Sequence, residues 1–204
     1  MNNFKDVFIK NSHTINLKNK KSIVRVDFNV PLSDQNKILD DTRIKAVKKT
    51  IDFLISKKAI VILISHMGRP KGKTDQNLSL GKIKNSTELI LKYKILLINV
   101  KENDEIIHNS ISDIKSNQII MFENIRFNPE EETYSDKFSK YLSSFGDIYI
   151  NDAFAVSHRN HSSITGIPKF IPSFMGFMMF KEYTSISNHS SKLGNNSICI
   201  FGGA

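Results

Sequence analysis

Residues 59–65 read AIVILIS, six apolar side chains in a row before a closing serine. A strand with one wet face alternates apolar and polar residues. An unbroken apolar run of this length fits a strand buried on both faces, as in parallel sheets covered by helices. Segments 22–28 (SIVRVDF), 95–100, 118–122, 147–150 and 197–201 (SICIF) read as further strands. Helical stretches at 43–58, 81–94, 103–115, 135–145 and 174–191 separate them. In the first of these, Ile44, Val47, Ile51, Leu54 and Ile55 recur at spacings of three and four. Asp40, Asp41 or Thr42 can cap its start. Segments 66–80 and 124–132 read as loops, and 151–172 as irregular and polar. Strands alternating with helices imply parallel βαβ units. The expected fold is therefore α/β, a doubly wound parallel sheet with helices on both faces, a Rossmann-like three-layer arrangement.

Composition narrows the function classes. One cysteine, Cys199, excludes an intramolecular disulfide framework and a cysteine-based zinc site. The first 22 residues are polar and lysine-rich, unlike a signal peptide. The longest aliphatic run is far short of the ~20 residues that span a bilayer. A soluble cytoplasmic protein without a membrane partner is expected. Lys and Arg number 29 against 20 Asp and Glu, a formal charge of +9. That balance suggests an anionic partner. The 24 lysines are dispersed, a poor footprint for nucleic acid. The five arginines are few enough that their positions carry information: Arg25, Arg43, Arg69, Arg126 and Arg159. A guanidinium grips carboxylate or phosphate with a planar fork.

In doubly wound folds, ligands sit beyond the carboxyl ends of the strands. The unusual polar residues fall there: Arg25, Asp27 and Asn29 after the first strand, Ser65, His66 and Arg69 after the second. Asn124 and Arg126 follow the fourth, and Asn151, Asp152, His158, Arg159 and His161 the fifth. Singly, each has a plain structural reading. Arg25 and Asp27 fit a buried ion pair, Gly68-Arg69-Pro70 a turn, and His66 a core histidine. The run Glu130–Glu132 reads as a solvated acidic stretch favouring the next helix N-terminus. His158 and His161 lack the carboxylate or thiolate spacing of a metal site, so no metal is expected. Together, four strand ends of the same character argue for an anion site. Arg43 lies in the first turn of a helix, where the macrodipole disfavours a cation. Either it reaches into that site, or it pairs with Asp40 or Asp41. Neither GxGxxG nor a P-loop occurs, so arginines rather than a glycine cradle would build the site.

The motifs RVDFNVP (25–31), DTRIK (41–45), SHMGRP (65–70), FENIRF (122–127), NDAFAVSHRNHSS (151–163) and FGGA (201–204) stand in the order seen in phosphoglycerate kinases. The resemblance covers the chain from about Phe4 to Ala204. It implies phosphoryl transfer between 1,3-bisphosphoglycerate and ADP, giving 3-phosphoglycerate and ATP in glycolysis, with magnesium on the nucleotide. It implies that Asp27 and Asn29, with Phe28 beside them, hold the glycerate body. His66, Arg69, Arg126 and Arg159 resemble the basic cluster for the phosphate that is not transferred, with Met67 and Gly68 in the same loop. Arg43 resembles the arginine that steadies charge during transfer. His158 and His161 would support the cluster, and Gly202 and Gly203 would begin a nucleotide loop. Arg25 is left as a structural partner within its strand. Ala155-Val156-Ser157 departs from the family's usual Gly-Thr-Ala.

On the same basis, residues 1–172 would form the substrate domain, 173–194 an interdomain helix, and 195–204 the first strand of a nucleotide domain. The expectation is a monomer that carries the phosphoglycerate half, has no ATP site of its own and is inactive alone. Residues 195–204 should then lack their usual sheet neighbours. A free-standing module that binds phosphoglycerate or another anion is the alternative.

Overall fold

The computed structural model describes residues 8–9, 15–114, 118–190 and 198. Among these residues six strands form one sheet: β1 (Lys21–Val26), β2 (Ile60–Ile64), β3 (Lys94–Ile98), β4 (Gln118–Phe122), β5 (Ile148–Asp152) and β6 (Ser173–Met175). Their order is β3-β4-β2-β1-β5-β6, and every neighbouring pair is parallel. The helices are α1 (Thr42–Ser56), α2 (Gly81–Leu91), α3 (Asp104–Ser112), α4 (Pro129–Thr133), α5 (Asp136–Ser143) and α6 (Phe177–Ser190). Among the described residues, no helix is long and apolar enough to cross a membrane.

Strand periodicity of two splits the core into layers. Val24 and Val26 of β1, with Val61 and Leu63 of β2, face Ile44, Val47, Ile51 and Leu54 of α1 and Ile83 of α2. Ile23, Ile62 and Ile64 point the other way, toward Ile107 and Ile111 of α3 and Leu142 of α5. Helices therefore cover both faces, which explains why 59–65 is apolar throughout. Each fully buried aliphatic side chain of α1 contributes about 1.5–3 kcal/mol.

Two local expectations fail. Residues 173–175 open the segment read as helix, yet they pair with β5, Tyr149 against Ser173 and Asn151 against Met175. Gly176 follows, and α6 starts one residue later. Three residues are too few for a strand pattern to stand out from the helical pattern that follows. The 124–132 loop holds a 3-10 turn (Ile125–Phe127) and α4, which starts at a proline suited to a first helical turn. The strand expected at 197–201 lies outside the described residues, as does the expected lack of sheet neighbours at 195–204, residue 198 apart.

The chain leaves β1 for β2 on one side, while β5 lies on the other. A crevice at such a point opens over the carboxyl end of the central strand, here at Asp27 and Asn29.

Candidate functional site

Ser65 ties the ends of β1 and β2 together. Its hydroxyl accepts from the N–H of Phe28 at 2.9 Å and donates to the carbonyl of Val26 at 3.1 Å. Asp27 is thereby held just past the strand end, 5% exposed. Its Oδ1 accepts from the N–H of Asn29 at 3.1 Å. Its Oδ2 accepts from Arg43 Nη1 at 2.7 Å, and the same nitrogen donates to the Asn29 carbonyl at 3.0 Å.

Arg43 thus pairs with neither Asp40 nor Asp41. Asp41 pairs with Lys45 at 2.9 Å. Asp40 accepts from the N–H of Thr42 at 2.9 Å, and hydrogen bonding to Thr42 lowers its pKa. Arg43 instead crosses from the first turn of α1 to the carboxylate beyond β1, which offsets the macrodipole penalty on a cation there.

The loop after β2 is fastened from two directions. Asn29 Oδ1 accepts from the N–H of Gly68 at 2.9 Å, and the carbonyl of Gly68 accepts from Arg126 Nη1 at 2.8 Å. Gly68 has φ +60, and a Cβ there would meet Leu78 Cδ2 at 2.6 Å. Only glycine fits that turn without strain. Asn124 adds a clamp, its Nδ2 donating to the carbonyls of Met67 at 2.7 Å and Leu78 at 2.8 Å. Glu123 accepts from the Ser79 hydroxyl at 2.5 Å and the N–H of Leu80 at 2.7 Å, fixing the approach to α2.

These contacts surround a cavity of about 290 Å³. Asp27, Asn29 and Arg43 line one side, and His66, Gly68, Arg69 and Arg126 the next. Glu132, Ala155, Val156 and Arg159 close it. Four guanidiniums face two carboxylates, an excess of two positive charges. Arg126 is nearly buried, and burial lowers its pKa against the opposing pull of Glu132. Glu132 Oε1 lies 3.3 Å from Arg126 Nε as an ion pair, without hydrogen-bond alignment.

His66 is not a cation here. Burial pushes its pKa far down, and the charges of Arg25 and Arg126 push it further. Its contribution to the basic cluster is therefore hydrogen bonding rather than charge. His161 is likewise held down at about 4 by burial and then by Arg126, Arg25 and Arg159, so it is neutral at neutral pH.

Of the site residues expected from the sequence, Phe28 and Met67 are buried side chains of the core rather than of the cavity wall. His158 is exposed, and His161 lies buried beside Glu131, off the cavity. Gly202 and Gly203 lie outside the described residues. Among the described residues no cluster of three His, Cys, Asp or Glu groups offers metal ligation.

Sequence reasoning missed what lies underneath. Glu131 is not part of a solvated run: it is fully buried, accepting from the N–H of Ser163 at 2.9 Å and its hydroxyl at 2.6 Å. Arg25 is fully buried too, and the ion pair expected between it and Asp27 does not form, since Asp27 pairs with Arg43. Its Nε donates to Ser163 Oγ at 2.9 Å, Nη1 to the Val26 carbonyl, and Nη2 to His66 Nδ1 at 3.2 Å. An arginine in the middle of a β-branched buried strand was the available signal for this layer.

The family model for phosphoglycerate kinase matches residues 12–204. The phosphoglycerate kinase of Coprothermobacter proteolyticus is 42% identical over 189 residues, 92% of this chain and 48% of the relative. That of Moorella thermoacetica is 37% identical over 190 residues, 93% and 48%. Among solved structures, phosphoglycerate kinase from Coxiella burnetii superposes with a TM-score of 0.75 at 32% identity, covering 85% of this chain and 43% of that one. The Pyrococcus horikoshii enzyme gives 0.78 at 29%, covering 93% and 46%. The chain spans about half the length of the curated relatives it matches. With the matched residues running through every strand and every wall of the cavity, the chain belongs to the phosphoglycerate kinase family.

Proposed function

We propose that this chain carries the phosphoglycerate-binding half of a phosphoglycerate kinase, a monomeric cytoplasmic enzyme of glycolysis. The observation that carries the reading is the cavity itself, four arginines against two carboxylates where four strand ends meet. A phosphate monoester brings a charge of about −1.5 to −2 at neutral pH, and a carboxylate adds one more. The cavity's positive excess complements such a ligand.

In this reading Arg69, Arg126 and Arg159 grip the phosphate that is not transferred. Asp27 and Asn29 position the glycerate hydroxyl and carboxyl ends. Arg43, tethered to Asp27, faces the reacting carboxyl-phosphate and offsets charge as the phosphoryl group moves. Phosphoryl transfer asks for little else from the protein than positioning and charge neutralisation. Residues 1–172 serve as the substrate domain and 173–194 as the link to a second domain that opens at 195–204. Magnesium-bound ATP or ADP supplies or accepts the phosphoryl group from that second domain, and no residue of the described cavity is assigned to it.

Calorimetry and a coupled assay test the reading. The 204-residue chain should bind 3-phosphoglycerate at millimolar concentration or tighter, and show negligible turnover with ATP. A folded chain that does not bind 3-phosphoglycerate removes the site assignment. Normal turnover by the chain alone removes the placing of the nucleotide site elsewhere.

A further inference from the structure

Arg25 does not line the cavity, yet it touches a ring that does. A guanidinium can only donate hydrogen bonds. His66 Nδ1, 3.2 Å from Arg25 Nη2, must therefore offer a lone pair. A neutral imidazole with an accepting Nδ1 carries its proton on Nε2. The directions continue on the other side of Arg25. Ser163 Oγ accepts from Arg25 Nε, so its own hydrogen goes to Glu131 Oε1 at 2.6 Å. The N–H of Ser163 donates to Glu131 Oε2 at 2.9 Å. Glu131, Ser163 and Arg25 thus form one buried chain in which every hydrogen has a fixed direction, and the chain ends at His66.

We propose that Arg25, held by Ser163 and Glu131, is a positioning residue that locks His66 in the Nε2–H tautomer, so that His66 serves the anion cavity as a neutral hydrogen-bond donor. The role given to that donor rests on the phosphoglycerate reading, whereas the lock itself does not. A neutral donor of fixed direction contacts a phosphate or carboxylate oxygen without adding charge to a cavity already rich in arginine. It also keeps working across the pH range in which a free imidazole would titrate. Burial and the two neighbouring guanidiniums disfavour the imidazolium and act in the same sense.

Long-range ¹⁵N–¹H spectra of the histidine rings, recorded on the ligand-free chain, test the lock directly. Wild-type His66 should show protonated Nε2 and bare Nδ1 from about pH 6 to about pH 8, with no titration. R25Q should release it, giving a mixed tautomer or a titrating ring, and weaken 3-phosphoglycerate and inorganic phosphate binding about tenfold, the scale of one hydrogen bond. S163A keeps Arg25 and breaks the chain behind it, and should shift the tautomer ratio in the same direction. Protonated Nδ1, or an imidazolium, in the wild type at neutral pH overturns the proposal. So does an unchanged His66 spectrum in folded R25Q, or in S163A should R25Q fail to fold. A locked tautomer in a chain that binds neither anion would leave the lock standing and remove the phosphoglycerate reading.

Discussion

Glu131 and Asp152 are both fully buried, but the regions around them handle a carboxyl group differently. Glu131 lies under the cavity, where burial raises its pKa and Arg25, Ser163 and Arg126 hold that rise back. Asp152 lies at the junction of β5, α1 and α6. There its Oδ2 accepts from the Thr50 hydroxyl at 2.5 Å and its Oδ1 from the N–H of Met179 at 2.9 Å. The Thr50 hydroxyl and the backbone N–H groups of Met179 and Met178 act against burial here, rather than a cation. Burial pushes it up to about 6. The difference follows from what each region must do. Beneath a cavity lined by four arginines, the buried carboxyl group faces buried guanidiniums. At the start of α6, hydrogen bonds and the positive end of a helix dipole hold the carboxyl group where three elements meet.

The largest effect expected from this contrast is at Glu131. E131Q removes the carboxylate that reaches Arg25 through Ser163 and leaves the guanidiniums of Arg25 and Arg126 without it. Breaking one side of a buried ionic network costs about 3–5 kcal/mol. Urea unfolding of the chain should show a loss of that size. A loss under about 1 kcal/mol would mean that Arg25 finds its compensation elsewhere, and the contrast with Asp152 would fail.

Asp152 should show itself through pH. Its folded-state pKa of about 6 lies above the ordinary 3.8. As pH rises, the unfolded chain loses this proton first. The stability contributed by neutral Asp152 is therefore full below about pH 4 and lost as pH climbs through about 6. The loss is about 3 kcal/mol in total. D152N, which has no proton to lose, should gain stability relative to the wild type over that window. Parallel stability curves from about pH 4 to about pH 7 would show that Asp152 stays charged in the folded state.

Gly176 tests how tightly the same junction is built. A Cβ at this position would stand 2.3 Å from Asp152 Cγ. Asp152 is tied to Thr50 and to the start of α6, so it has little room to retreat. G176A should cost about 1–3 kcal/mol, the range for overpacking, and the midpoint of thermal or urea unfolding reports it. A neutral G176A would make the junction looser than these contacts imply.

How much of this could be read in advance divides along the same line. Layers and fold class follow from local pattern: residues 118–122 read as a strand and form β4 with those bounds. The three residues of β6 escape because edge pairing with β5 is a tertiary fact. The cavity wall was legible because arginines are rare here, and Arg69, Arg126 and Arg159 follow strand ends while Arg43 opens a helix. Asp27, Asn29, Arg43, His66, Gly68, Arg69, Arg126 and Arg159 do gather around one cavity. The layer beneath was not legible. Three consecutive glutamates look alike along the chain, and only the turn of α4 sends Glu131 inward while Glu130 stays exposed. Likewise Ser163 sits in a run of small polar residues with no local mark of its contact to Arg25, 138 positions away.

Arg43 offers the smallest stability effect and the sharpest separation of the two kinds of charge. Its side chain is 48% exposed, against 7% for its partner Asp27. A pair with one member so well solvated contributes about 0–1 kcal/mol to folding, and Asp27 keeps the N–H of Asn29 when the guanidinium is gone. R43A should therefore unfold within about 1 kcal/mol of the wild type. Its binding of 3-phosphoglycerate should weaken about tenfold or more, because a charge-assisted contact to an anion is lost. R43K restores the charge but not the planar fork, and should recover only part of the affinity. If R43A instead destabilised the chain as much as E131Q, the rim arginine would be a structural partner like Arg25. The positive excess of the cavity would then be a by-product of holding β1 to α1. If stability holds and affinity falls, the rim is free to serve the ligand because the buried layer beneath it has already satisfied the needs of the fold.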